Sequence, residues 1–119
     1  MTSIYQDVIF EHYQLPKNFG RILHPSKSVT VFNPLCGDSI TMDVSFKGDR
    51  VKEVRFTGKG CVISQALTSQ LTEYAKNKLK NKLRKLDRTF MIKLLGVELG
   101  PNRLKCALLS LEALQKLLV

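Results

Sequence analysis

The order of hydrophobic periods along the chain predicts an α+β fold, a three-stranded antiparallel sheet with helices packed on one face. Three observations carry this. Apolar residues recur at helical spacing up to Tyr13, alternate without interruption over residues 39–46, and return to helical spacing after Gly60. Strand-like and helix-like segments are therefore segregated along the chain.

Each element has its own signals. Ser3 with Gln6 three positions later is a capping-box pattern, and Ile4, Tyr5, Val8, Ile9 and Tyr13 form one helical face behind it. Pro16, Asn18 and Gly20 stop this first helix and open a loop. Residues 29–32 read as a short strand cut by Asn33-Pro34. In the next strand Ile40, Met42, Val44 and Phe46 share one side, while Ser39, Thr41, Asp43 and Ser45 share the other, the pattern of a half-buried antiparallel strand. Lys47-Gly48-Asp49 turns the chain, residues 51–57 return as a third strand, and Gly58-Lys59-Gly60 ends it. Ile63, Ala66, Leu67, Leu71 and Tyr74 then fit a helix, as do Leu79, Leu83, Leu86 and Phe90, with room for a break within residues 77–81. A loop over residues 96–101 precedes a last amphipathic helix bearing Ala107, Leu108, Leu111, Leu114 and Leu118.

The 119 residues suit one domain, 1–119, with one modest core. Hydrophobic residues make up 44% and charged residues 24%, the balance of an ordinary globular protein rather than a disordered one. No stretch reaches the roughly 18 apolar residues of a membrane span. The N-terminal residues carry Asp7 and Glu11 and lack the cationic region of a secretory leader, so a cytoplasmic protein without membrane contact is expected.

The net charge is +9, and residues 76–88 concentrate seven Lys or Arg against the single acid Asp87. Such a patch attracts nucleic acid, an anionic surface or an acidic protein. No aromatic residue is interleaved to stack bases, so a solvated helix face is the expectation and a basic zinc module binding nucleic acid is a remote alternative.

Cysteine placement is more informative. Three cysteines cannot complete a disulfide set within one chain, which leaves packing, metal binding or catalysis in a reducing compartment. Cys36 falls in the loop entering the long strand, Cys61 where a strand gives way to a helix, and Cys106 near the start of the last helix. Helix N-termini offer unpaired N–H groups that favour a thiolate, and Lys59, Arg103 and Lys105 add positive charge. Asp38 is two residues from Cys36. Three thiolates and a carboxylate would complete a four-ligand set for zinc or for an iron–sulfur cluster. The carboxylate would be a hard ligand among soft ones, which suits a site that releases what it holds. Taken by spacing alone, three semi-buried structural cysteines remain an open alternative.

The segments "NPLCGDSI" (33–40), "FTGKGCVIS" (56–64) and "NRLKCALLSLEAL" (102–114) resemble, in order, the three cysteine motifs of the IscU/SufU/NifU-N-terminal family of iron–sulfur cluster assembly proteins. The opening "YQDVIFEHYQLPKNFG" (5–20) is similar to that family's start. The resemblance implies an α+β fold with the cysteines gathered at one exposed end. It implies that Cys36, Asp38, Cys61 and Cys106 bind zinc, iron or a transient [2Fe–2S] cluster. Sulfur would come from a cysteine desulfurase, and apo iron–sulfur proteins would receive the cluster. Asp38 matches the aspartate that acts as ligand or modulates release. The persulfide acceptor would be Cys36 in the SufU manner or Cys106 in the IscU manner.

The chain mixes the branches. Lys105 stands where the IscU branch has a histidine, and "LGPNR" at 99–103 replaces that branch's chaperone-recognition motif, so a dedicated chaperone is not expected. The pattern Pro-x-Arg-x-Lys-Cys-Ala is SufU-like, which implies the alternative of a zinc-dependent sulfurtransferase. The 45-residue step from Cys61 to Cys106, however, leaves no room for the SufU insertion of about twenty residues. Otherwise the protein is expected to be a scaffold and sulfur carrier rather than an enzyme. His12 is expected in a packing or docking role, and His24 at the surface.

Overall fold

A computed structural model describes residues 3–34, 37–96 and 99–119, without the side chains of residues 3–6 and 102. The chain runs α1 (Ser3–Gln14), β1 (Lys27–Asn33), β2 (Asp38–Lys47), β3 (Arg50–Lys59), α2 (Val62–Ala75), α3 (Lys80–Arg84), α4 (Arg88–Leu95) and α5 (Pro101–Leu117). The strands form one antiparallel sheet in the order β1-β2-β3. The predicted α+β class and the strand count are what the chain adopts.

Alternation in β2 decides the layering. Ile40, Met42 and Val44 are fully buried beneath the helices, with Ala66, Leu67 and Leu71 of α2 and Leu109, Leu114 and Leu117 of α5 in the same core. A strand residue that turns its side chain one way leaves its neighbours on the opposite face. That face is polar, and Thr30 and Thr41 meet across β1 and β2 with hydroxyl oxygens 2.8 Å apart. Asp43 departs from the half-exposed pattern expected there. It is completely buried, because residues 21–28, the loop before β1 and the strand's start, fold over it. Its carboxylate accepts hydrogen bonds from Arg21 Nε at 2.7 Å, from the Ile22 N–H at 3.0 Å and from the Ser28 hydroxyl. Burial alone would raise the Asp43 pKa; these donors, with the Arg21 charge, outweigh it and hold the carboxyl below its ordinary value.

α1 buries less than its pattern predicts. Ile9 is buried, whereas Val8 and Tyr13 are exposed. The capping box and the apolar positions Ile4 and Tyr5 concern side chains outside the described residues.

The basic segment 76–88 is not one helix. α2 ends at Ala75, and Asn77 adopts a left-handed φ of 68°. The backbone then turns to the open edge of β3: the Asn77 N–H donates to Val51 O at 2.8 Å, and the Val51 N–H donates to Lys78 O at 3.0 Å. An unpaired strand edge competes for these amides and stops the helix. A second break precedes α4, where Asp87 caps the helix by accepting from the Phe90 N–H at 3.0 Å. Phe90 therefore belongs to α4, not to a continuation of α2.

No helix among the described residues is long and apolar enough to cross a membrane.

Candidate sulfur and metal site

Three sequence-predicted site residues converge. One ligand atom from each of Asp38, Cys61 and Cys106 lies within 4.8 Å of the other two. They come from three elements 23 to 68 residues apart in sequence. Cys36, the fourth expected ligand, lies outside the described residues. Asn33 and Gly37 bracket it: the Gly37 N–H donates to Asn33 O at 2.8 Å, and Gly37 has a φ of 75°, a left-handed conformation that costs glycine little.

Asp38 opens β2 rather than lying in the preceding loop, and its side chain is buried. Pairing in register sets it opposite Asn33 at the end of β1. Gly60 makes room for it. A Cβ built on Gly60 would lie 2.7 Å from the Asp38 carboxyl carbon and 2.7 Å from Oδ1, closer than real Cβ contacts. Gly58 has a different neighbour, since its Cβ would lie 2.6 Å from the backbone oxygen of Ser39. The Gly58-Lys59-Gly60 segment, read from the sequence as a strand terminator, instead carries β3 on to Lys59, and its glycines let β3 and the start of α2 approach the start of β2 closely.

Cys61 is the N-cap of α2 and is exposed. Its sulfur accepts the Ser64 N–H at 3.4 Å, and its thiol donates to Asp38 Oδ2 at 3.8 Å. The helix-terminus argument holds at this position, because an N-cap acceptor satisfies one of the orphan amides of the first turn. Ser64 Oγ, in the same turn, is buried with no hydrogen-bond partner among the described residues.

Cys106 differs from its expectation. It belongs to the second turn of α5 and is buried, so the free amides of the helix start are not available to it. The side-chain amide of Asn33 instead donates to its sulfur at 3.8 Å. Lys105 is exposed and lines a groove of about 300 Å³ with Phe32, Pro34 and Glu112.

The histidines are elsewhere. His12 Nδ1 is 2.7 Å from Ser69 Oγ, which also accepts the Lys17 N–H at 2.7 Å. Burial lowers the His12 pKa, with Glu73 and Glu11 opposing and Lys17 assisting. With Ser69 accepting from Lys17, its hydroxyl hydrogen is free for Nδ1, so a neutral imidazole fits between α1 and α2. His24 is exposed.

The donor set suits a thiophilic metal. Zinc bound at about 2.3 Å from sulfur and about 2.0 Å from oxygen separates its ligands by about 3.5–3.8 Å, so closure from the observed spacing needs movements of about 1 Å. Sequence reading missed Asn33 and Gly60 as parts of the site. Gly60 had a signal in its position immediately before Cys61; Asn33 had none that identified Cys106 as its partner.

Among the described residues, two thiols and a buried carboxylate meet at one end of the sheet of a small α+β fold, a donor set suited to handling metal or sulfur. The chain belongs to the NifU-like N terminal domain family, whose profile matches residues 4–119. It is 34% identical over 116 residues to the iron–sulfur cluster assembly scaffold protein IscU 1 of Archaeoglobus fulgidus, covering 98% of this chain and 75% of that protein. It is also 34% identical over 133 aligned residues to the zinc-dependent sulfurtransferase SufU of Bacillus subtilis, covering 98% of this chain and 90% of that one. That alignment is longer than the 119-residue chain, so the SufU protein carries residues absent here. A crystal structure of a candidate SUF-system scaffold protein for iron–sulfur cluster assembly from Fervidobacterium islandicum superposes with a TM-score of 0.86 at 31% identity, covering 98% of each chain.

Proposed function

We propose that residues 1–119 act as one domain that assembles an iron–sulfur cluster as cargo, with Cys36, Asp38, Cys61 and Cys106 as the ligands. The supporting observation is the convergence of Asp38, Cys61 and Cys106 within 4.8 Å from three separate elements. A cysteine desulfurase supplies sulfur as a persulfide. A site thiolate attacks the outer sulfur, a new Cys–S–S bond forms, the donor's S–S bond breaks, and the donor cysteine leaves as thiolate. No external oxidant or reductant enters that step. Cys36 or Cys106 is the acceptor, and apo iron–sulfur proteins in the cytoplasm receive the cluster. Asp38 supplies the one hard ligand, which favours release over storage.

The similarity to a zinc-dependent sulfurtransferase supports a second reading, in which the same residues hold zinc and the domain passes sulfur on without a stable cluster. Bound zinc would keep the sulfurs as thiolates until one is displaced.

Anaerobic incubation with a cysteine desulfurase, cysteine, Fe(II) and an added electron donor, which takes the persulfide sulfur to the sulfide level, separates the two; a parallel sample without the donor is read for persulfide. Stoichiometric iron and acid-labile sulfide, lost in Cys36→Ala, support the scaffold. Persulfide with retained zinc and no cluster supports the sulfur acceptor. Persulfide confined to Cys61 on mass spectrometry contradicts both acceptor assignments.

A further inference from the structure

We propose that Asn33 is a positioning residue of this site, one that fixes the Cys106 sulfur and tunes its donor strength. The inference rests on the reading of Cys106 as a ligand and assigns a role to a residue outside the ligand set. Three observations meet at Asn33. Its side-chain amide donates to Cys106 Sγ across 73 residues of sequence. Its carbonyl accepts the Gly37 N–H, and Cys36 lies between these two residues in sequence. Its backbone is in register with Asp38. One residue at the end of β1 is therefore tied to the strand bearing the carboxylate, to the helix bearing the buried thiol and to the segment containing the remaining cysteine.

The chemistry follows from the direction of the bond. An N–H directed at a thiolate withdraws electron density from sulfur, as hydrogen bonds to cluster sulfurs do when they shift reduction potentials. It also restricts the rotamer of Cys106, so that the sulfur faces Asp38 and Cys61 before metal or cluster arrives. Cys106 gains at the second turn of α5 what Cys61 obtains from the amide of Ser64 at the first turn of α2. Both sulfurs are thereby held by a nitrogen donor, one from backbone and one from a side chain. Partners of this kind set ligand orientation, and losing one costs about 10–100-fold in metal affinity.

The test uses the full chain loaded with Zn²⁺ or Co²⁺ alone, comparing wild type, Asn33→Leu and Asn33→Gln. Leucine approximates the shape without a donor; glutamine keeps the amide one methylene further out. Chelator competition is expected to show zinc affinity about 10–100-fold weaker in Asn33→Leu. The sulfur-to-cobalt charge-transfer band is expected to move to lower energy in that variant and to return toward the wild-type position in Asn33→Gln. Equal affinity and an unmoved band in Asn33→Leu overturn the proposal. So does equal weakening in both variants with an unmoved band, since that pattern is the loss of a structural contact. A wild type that binds neither metal overturns it as well. A wild type that binds metal but assembles no cluster counts against the scaffold reading, while the Asn33 comparison is still decided by affinity and band position.

Discussion

The Asp38 carboxylate occupies the space that a side chain at residue 60 would need. An alanine Cβ there would stand 2.7 Å from both the carboxyl carbon and Oδ1. Gly60→Ala is therefore expected to push Asp38 away from Cys61 and Cys106. Zinc affinity by chelator competition should fall about 10–100-fold, as for other losses of ligand orientation. Unchanged affinity would mean that Asp38 is not a ligand or that it moves freely.

Gly58→Ala should fail differently. Its Cβ would meet the Ser39 backbone oxygen at 2.6 Å, within the β2–β3 pairing, where backbone rather than a side chain must shift. A loss of about 1–3 kcal/mol of stability is expected, the usual range for overpacking, read as a lower urea midpoint. Once refolded, this variant should bind zinc far better than Gly60→Ala does.

Exposure separates the two described thiols. In metal-free protein, iodoacetamide followed by peptide mass spectrometry should label exposed Cys61 before buried Cys106. Zinc should protect both. Faster labelling of Cys106 would show that α5 opens more readily than its packing implies.

His12 links the fastening of α1 to pH. Its folded pKa lies below the ordinary histidine value because of burial, so the unfolded chain binds the proton more readily. The stability it contributes is present above about pH 6.5 and is lost as pH falls from there through the folded pKa. Urea midpoints should fall on acidification from pH 7 to pH 5.5, and His12→Gln should flatten that slope. A slope of the same size in the variant would place the titrating group elsewhere.

Asp43 works in a lower window. Its folded pKa is below the ordinary carboxylate value, so its contribution is present above about pH 4 and is lost on acidification through the folded pKa. Asp43→Ala removes the acceptor shared by Arg21, Ile22 and Ser28. A loss of about 1.5–3 kcal/mol at neutral pH is expected by urea denaturation, the range for hydrogen bonds to a charged group. The variant should also lose less stability between pH 5 and pH 3 than the wild type.

Much of this molecule is written in local patterns. Strict alternation over residues 39–46 marked the strand that runs Asp38–Lys47, and the return to helical spacing after Gly60 marked α2. The cysteine motifs pointed to Asp38, Cys61 and Cys106, whose ligand atoms the fold brings within 4.8 Å of one another. These signals are legible because strand and helix periods, glycine breaks and N-caps act over a few neighbouring residues.

Other features depend on partners that periodicity does not specify. Asp43 has the sequence position of a half-exposed strand residue, and only residues 21–28 folded over it make it the buried partner of exposed Arg21. The break that the sequence left open within residues 77–81 is placed by the edge that β3 presents to residues 77 and 78. Cys106 reads as a helix-start thiol, yet its described donor is Asn33, brought within reach by the packing of α5 beside β1. Local sequence patterns carried the fold class, the three strands and the residue types of the candidate site. The tertiary structure decided which groups face one another, because hydrogen bonding and close packing between distant segments arise only once the chain has closed on itself.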